Sequence, residues 1–274
     1  MVECNQSILE TKCLELRRQI IETAHKTSAG AHYGGSLSMV EILVALYEKA
    51  NVSADEHRDR VILSKGHGAL ALYCILQQKG LLTEQELDAF EQNGAPLFAH
   101  AKRDVTKGIE FSGGSLSLGA SFAIGVALAC RERALDNRIY VILGDGECNE
   151  GLVWESVMAA ANYGLSNVTF IVDRNRIQSD GAVDEVMKTE SLSAKFEAFG
   201  CKTMEVDGHD VVALMDALEQ SAIRSQYLEG KPIAIIANTI KGKGVSFMEN
   251  NVQWHHATIS EKQYQQAMEE LNRG

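Results

Sequence analysis

Proline is scarce in this chain. Two occur in 274 residues, Pro96 and Pro232, and no Pro- or Ser-rich linker divides the sequence. Domain boundaries usually fall in such linkers, so a single domain over residues 1–274 is expected. Positive charge is also short: 26 Lys and Arg stand against 37 Asp and Glu, a formal net charge of −11. That balance excludes nucleic acid and anionic membrane surfaces as partners. A phosphorylated ligand would have to be met by local groups instead, namely histidines, backbone amides or a metal. The six cysteines form no CxxC pair and no zinc spacing, and read as reduced thiols of a cytosolic protein. No apolar run approaches the length of a membrane span, and the charged opening MVECNQSILETKCLELRRQ is no signal peptide. A cytoplasmic protein is expected. No GxxxxGK[ST] loop and no internal repeat is present.

Hydrophobic residues make up 45 % of the chain, ample for a core. From Ser7 to Thr27 they recur at helical spacing (Leu9, Cys13, Leu16, Ile20, Ile21, Ala24), and a second helix is expected from Ser38 to Glu48. Short apolar runs then alternate with helical stretches. Runs at Arg60–Ser64, Arg138–Leu143, Val168–Val172, Lys202–Val206 and Pro232–Ala237 read as strands. Ala69–Gln78, Leu152–Tyr163 and Val211–Tyr227 read as helices. Continuous apolar strands alternating with helices predict an α/β fold, a parallel sheet with helices on both faces. Such sheets bind ligands at the carboxyl ends of their strands, so the loops there are the candidates for chemistry.

The run ending at Leu143 leads into Gly144-Asp145-Gly146-Glu147-Cys148-Asn149-Glu150-Gly151. Glycines beside Asp145 let backbone and ligand approach closely. The next run ends in Val172-Asp173-Arg174-Asn175-Arg176-Ile177, with 28 residues and a helix between Gly146 and Asn175. A βαβ unit brings Asp145 and Asn175 to one sheet edge. One carboxylate, one amide oxygen and a loop carbonyl suit Mg²⁺ shared with a diphosphate. Taken singly, each piece also reads as a turn or a cap. The Ser112–Gly119 stretch, SGGSLSLG, follows no clear strand and has no acidic ribose partner, which disfavours a dinucleotide site.

The segment from Gly144 to Gly181 resembles the thiamine-diphosphate motif of the transketolases, most closely that of the amino-terminal subunit of split transketolases, and the resemblance runs over nearly the whole chain. It implies a diphosphate-binding domain. Asp145 and Asn175 would ligate Mg²⁺ through their side chains and Ile177 through its carbonyl. Of the eight histidines, His32, His67, His100 and His255 stand in loops where the family keeps active-site histidines. By analogy His67 and His255 lie near the diphosphate, while His32, His100 and His255 act on substrate. Gly114, Leu116, Gly144 and Gly146 would lie against the cofactor. Glu150, also expected among the cofactor-binding residues, corresponds to a family glutamate at the subunit interface beneath the site, and it reads equally as a charge favoured by the helix dipole. His25, His57, His209 and His256 are set aside as structural. Lys241 falls in a short basic loop, Ile240–Gly244.

The resemblance further implies an absent pyrimidine-binding domain, whose glutamate activates the cofactor. A second, carboxy-terminal subunit would supply it in an α₂β₂ assembly, for two-carbon ketol transfer from a ketose (phosphate) to an aldose. Departures stand at Ala31–Gly34, Leu116–Gly119, Ser179 and His256, and they open the question of a modified sugar, sulfonated or branched. A deoxyxylulose-phosphate-synthase-like or 2-oxoacid-decarboxylating subunit, or a non-catalytic homologue, remain as alternatives.

Overall fold

The computed structural model describes residues 2–27, 29–53, 55–189, 191–227 and 230–273. Three helices open the chain: α1 (Val2–His25), the short α2 (Tyr33–Leu37) and α3 (Val40–Lys49). Strand β1 (Arg60–Leu63) is followed by α4 (Ala69–Gln78), α5 (Glu84–Asp88) and α6 (Leu118–Glu132). Next come β2 (Ile139–Gly144), α7 (Gly151–Asn162), β3 (Val168–Arg174), α8 (Val183–Val186) and α9 (Leu192–Ala198). The chain continues through β4 (Lys202–Asp207), α10 (Val211–Tyr227), β5 (Ile233–Asn238) and α11 (Glu261–Arg273). No helix among the described residues is long and apolar enough to cross a membrane.

The strands form one parallel sheet in the order β1-β2-β3-β5-β4. Successive side chains of a strand point to opposite faces, and here each face meets its own helical layer. Tyr140, Ile142, Ile171, Ile233 and Ile235 pack with the apolar faces of α1, α3, α4 and α10. Val141, Leu143, Phe170, Val172 and Ile236 pack with α6, α7 and α9. Burial on both sides is why these strands are apolar at consecutive positions.

Two expectations are modified. The edge strand β4 is exposed at Lys202, Glu205 and Asp207 and half-buried at Thr203, Met204 and Val206, unlike the almost continuously buried β2, β3 and β5. Helix α6 was not anticipated: the SGGSLSLG stretch read as a loop runs directly into it.

Candidate active site

Strands β2 and β3 run side by side with Gly144 opposite Asp173, so the loops beyond them emerge together at the carboxyl edge. Asp145 begins a 3₁₀ turn there and accepts a hydrogen bond from the Gly146 N–H at 2.8 Å on Oδ1. Its Oδ2 accepts from the Arg176 N–H at 2.5 Å. Arg176 has φ +64°, a left-handed turn unusual for a side-chain-bearing residue. Asn175 Oδ1 in turn accepts from the Ile177 N–H at 3.1 Å. The expected meeting of Asp145 and Asn175 is therefore present, with a direct link between their loops.

Asp145 is only 3 % exposed. Burial, reinforced by the like charge of Asp173, lifts its carboxyl to about 6, against the pull of the two N–H bonds and of Lys65. A cation bound here would relieve both strains. A carboxylate, an amide and a carbonyl oxygen form a hard-oxygen set, and Mg²⁺ completes its shell with water and phosphate oxygens. No group of three or more His, Cys, Asp or Glu that could hold a metal occurs among the described residues. A site with a single protein carboxylate is compatible with that.

These loops border a cavity of about 230 Å³, lined also by His32, His67, His100, His255, Gly114, Leu116, Gly144 and Gly146. The four sequence-predicted histidines thus converge. His32 lies at its centre, with ring centroids 5.3 Å from His100, 5.5 Å from His255 and 6.0 Å from His67. Burial, then His256, His255, His100 and Lys241, press the His32 imidazolium down to about 3. Burial and Lys241 bring His255 to about 4, and burial and Lys65 hold His67 well below the ordinary range. Near neutral pH these three rings are neutral, able both to donate and to accept.

Four residues not singled out by sequence shape the site. Lys241 is buried, and its Nζ donates to the carbonyls of Ile177 and Gln178, both at 3.0 Å. It also lies 2.9 Å from His255 Nδ1. An ammonium only donates, which makes Nδ1 the acceptor and places the His255 proton on Nε2. Burial and neighbouring Lys65 lower Lys241 to about 8. Lys65 forms a fully buried ion pair with Asp173 and donates to the Gly35 carbonyl at 2.9 Å. Asp173 also accepts from Ser38 Oγ at 2.5 Å and from Thr239 Oγ1. Glu147, 2 % exposed, lines the cavity as well. The available signal was the flanking glycines in SKGHG, IKGKG and GDGEC at strand ends.

Two assignments read differently in three dimensions. Glu150 is exposed at the start of α7, makes no capping bond and does not line the cavity. His256, set aside as structural, lies edge-on against His32 with centroids 4.6 Å apart. The other three do lie apart from the cavity. His209 joins Glu41 to the Ile240 N–H, His25 stacks on Tyr264, and His57 is near Asp136. Ser179 brings a hydroxyl-bearing side chain to the cavity wall.

Fold and site together define a parallel α/β domain with a cavity at its strand ends, lined by histidines, Lys241 and the carboxylates of Asp145 and Glu147. The chain belongs to the transketolase family: it matches the family described as "Transketolase, thiamine diphosphate binding domain" over residues 10–272, as an amino-terminal transketolase subunit. It is 38 % identical over 268 residues to one subunit of the apulose-4-phosphate transketolase of Actinobacillus succinogenes, covering 96 % of this chain and 95 % of that one. To the 6-deoxy-6-sulfo-D-fructose transketolase subunit SqwG of Clostridium sp. (strain MSTE9) it is 40 % identical over 264 residues, 94 % of each chain. Among solved structures, the transketolase of Campylobacter jejuni superposes with a TM-score of 0.87 at 28 % identity, over 97 % of this chain and 43 % of that one. Human transketolase is 32 % identical over 93 % of this chain but only 41 % of its own length. This chain thus spans about two fifths of those longer transketolases.

Proposed function

We propose that this chain is the diphosphate-binding subunit of a thiamine-diphosphate-dependent transketolase, moving a two-carbon ketol unit from a ketose, free or phosphorylated, to an aldose. The observation that carries the reading is the convergence, in one cavity, of the Asp145–Asn175–Ile177 oxygen set with neutral histidines and the Lys241 ammonium. Asp145, Asn175 and the Ile177 carbonyl would hold Mg²⁺. His67, His255, Lys241, Gly144 and Gly146 would meet the diphosphate, with Gly114 and Leu116 against the cofactor. Gly114 fits this role: its φ is +138° and a Cβ there would meet nothing within 4 Å, so the backbone is open to a ligand.

When bound, thiamine diphosphate supplies the nucleophilic carbon on which a C–C bond beside a carbonyl is broken and remade. The chain's residues orient the sugar and move its protons. His32, neutral above about pH 3, accepts or donates at a substrate hydroxyl, and His100 faces it across the cavity. His255, its Nδ1 held by Lys241, offers Nε2–H as a donor. The glutamate that activates the cofactor would come from a carboxy-terminal, pyrimidine-binding subunit in an α₂β₂ complex. Exposed Glu150 belongs to that contact rather than to the cavity wall. Similar proteins of matching length are themselves named as transketolase subunits, which supports a two-chain enzyme.

The test is native mass spectrometry of the complex isolated with Mg²⁺, followed by assay. A second chain of similar size, bound thiamine diphosphate and ketol transfer are expected. Pyruvate decarboxylation without ketol transfer, or a homo-oligomer that binds no cofactor, would overturn the proposal.

A further inference from the structure

Glu147 presents a paradox. It is a buried carboxylate in the wall of a cavity that suits an anion, and its hydrogen-bond partners are all neutral. Its acceptors are spent on three separate segments. Oε1 takes the Ser64 hydroxyl at 2.5 Å and the Ser117 N–H at 2.7 Å, and Oε2 takes the Gly144 N–H at 3.0 Å. Ser64 follows β1 and leads to Lys65 and His67. Gly144 ends β2 and precedes Asp145. Ser117 closes the loop that carries Gly114 and Leu116, immediately before α6.

That loop is held under strain. Ser117 has φ +72° and its hydroxyl makes no capping bond, so the turn gains nothing from its side chain. It is also seated without slack. A Cβ on Gly119 would come within 2.7 Å of Ser64 Cα, and one on Gly66 within 2.7 Å of the Gly114 nitrogen. The Glu147 carboxylate is the polar group common to all three segments.

We propose that Glu147 is a positioning residue that fixes the β1 end, the β2 end and the Gly114–Ser117 loop in their binding arrangement before any ligand arrives. The inference rests on the reading of this cavity as the thiamine-diphosphate site. A wall assembled in advance spares binding the cost of ordering it. A purely structural staple would instead lower the stability of the whole domain evenly.

The test is Glu147→Gln, whose amide turns an N–H₂ toward groups that themselves donate. Amide hydrogen exchange on the cofactor-free full chain is expected to accelerate at residues 112–118 and 144–146, with the helices α3 and α10 unchanged. Calorimetric titration of the chain with its partner, using thiamine diphosphate and Mg²⁺, is expected to show affinity reduced by roughly 10-fold or more. Should that variant not fold, Ser64→Ala removes one donor, keeps the carboxylate, and should loosen the same segments to a smaller degree. Uniform acceleration over the domain, unchanged exchange at residues 112–118, or undiminished affinity would each overturn the proposal. If the wild-type chain itself bound no thiamine diphosphate, the function would fail, and the exchange result would still decide whether Glu147 holds the loops.

Discussion

Asp145 occupies a place where a carboxylate is costly, since burial and Asp173 lift it to about 6. A divalent ion answers both causes, so Asp145→Ala should lose Mg²⁺-dependent thiamine diphosphate binding by about 100-fold or more. It should also abolish turnover of the reconstituted complex, and retained activity would sink the metal assignment. Lys241 poses the opposite test. A buried ammonium lowered to about 8 is costly, and Lys241→Met removes that cost while leaving the Ile177 and Gln178 carbonyls and His255 Nδ1 without their donor, so its melting temperature should stay close to that of wild type. Cofactor affinity should nonetheless fall, by roughly 10-fold, the loss expected of one charged hydrogen-bonding group. A variant that melts several degrees lower and binds normally would make Lys241 structural. Asp145 and Asn175 were legible because an Asp between two glycines at one strand end and an Asn at the end of the next strand form a pairing that is rare by accident. Lys65, Lys241 and Glu147 were not. Charged residues are rarely buried, and only the meeting of distant segments puts Lys65 against Asp173 and Glu147 against Ser64.

The strands that position the site could be read because three of them are apolar on both faces. β2, β3 and β5 each feed two helical layers. Helix α6 escaped notice for a related reason. LGASFAIGVALACRE mixes glycine, alanine and large apolar residues, with charge only at its end, and a glycine-rich lead-in hides its start. What fixes the start of α6 is contact rather than propensity: the close approach of Gly66 to Gly113 and Gly114, and of Gly119 to Ser64. Gly66→Ala tests this element directly. Its Cβ would meet backbone, which cannot rotate away, so the loop must shift at a cost of about 1–3 kcal/mol. A lower melting temperature together with weakened thiamine diphosphate binding is expected. Unchanged binding with a lower melting temperature would show that the loop's place does not govern the cavity.

At the scale of the whole molecule, the crowding of imidazoles and ammonium groups ties stability to acidity. His32, His67 and His255 all have native values below the ordinary 6.5, so the unfolded chain binds protons at their positions more readily. Their contribution is complete above pH 6.5 and is lost as the pH falls toward about 4 for His255 and about 3 for His32. Asp145 acts with the other sign. Raised from 3.8 to about 6, it favours the native state most below 3.8 and loses that contribution as the pH rises through 6. Burial raises the carboxyls of Glu147 and Asp59 as well, yet His32, His67 and His255 are displaced furthest, so the melting temperature of the cofactor-free chain should fall between pH 6.5 and 4.5. Acidification also eases the self-repulsion of a chain of net charge −11, so the decisive quantity is a difference between variants. His32→Asn deletes one proton acceptor of the unfolded state while leaving the overall acidity in place. Its melting temperature should fall less steeply with pH than that of wild type. Parallel slopes would mean that His32 gains its proton equally well in the folded cavity, and the neutral imidazole assigned to it in the proposed reaction would have to be abandoned.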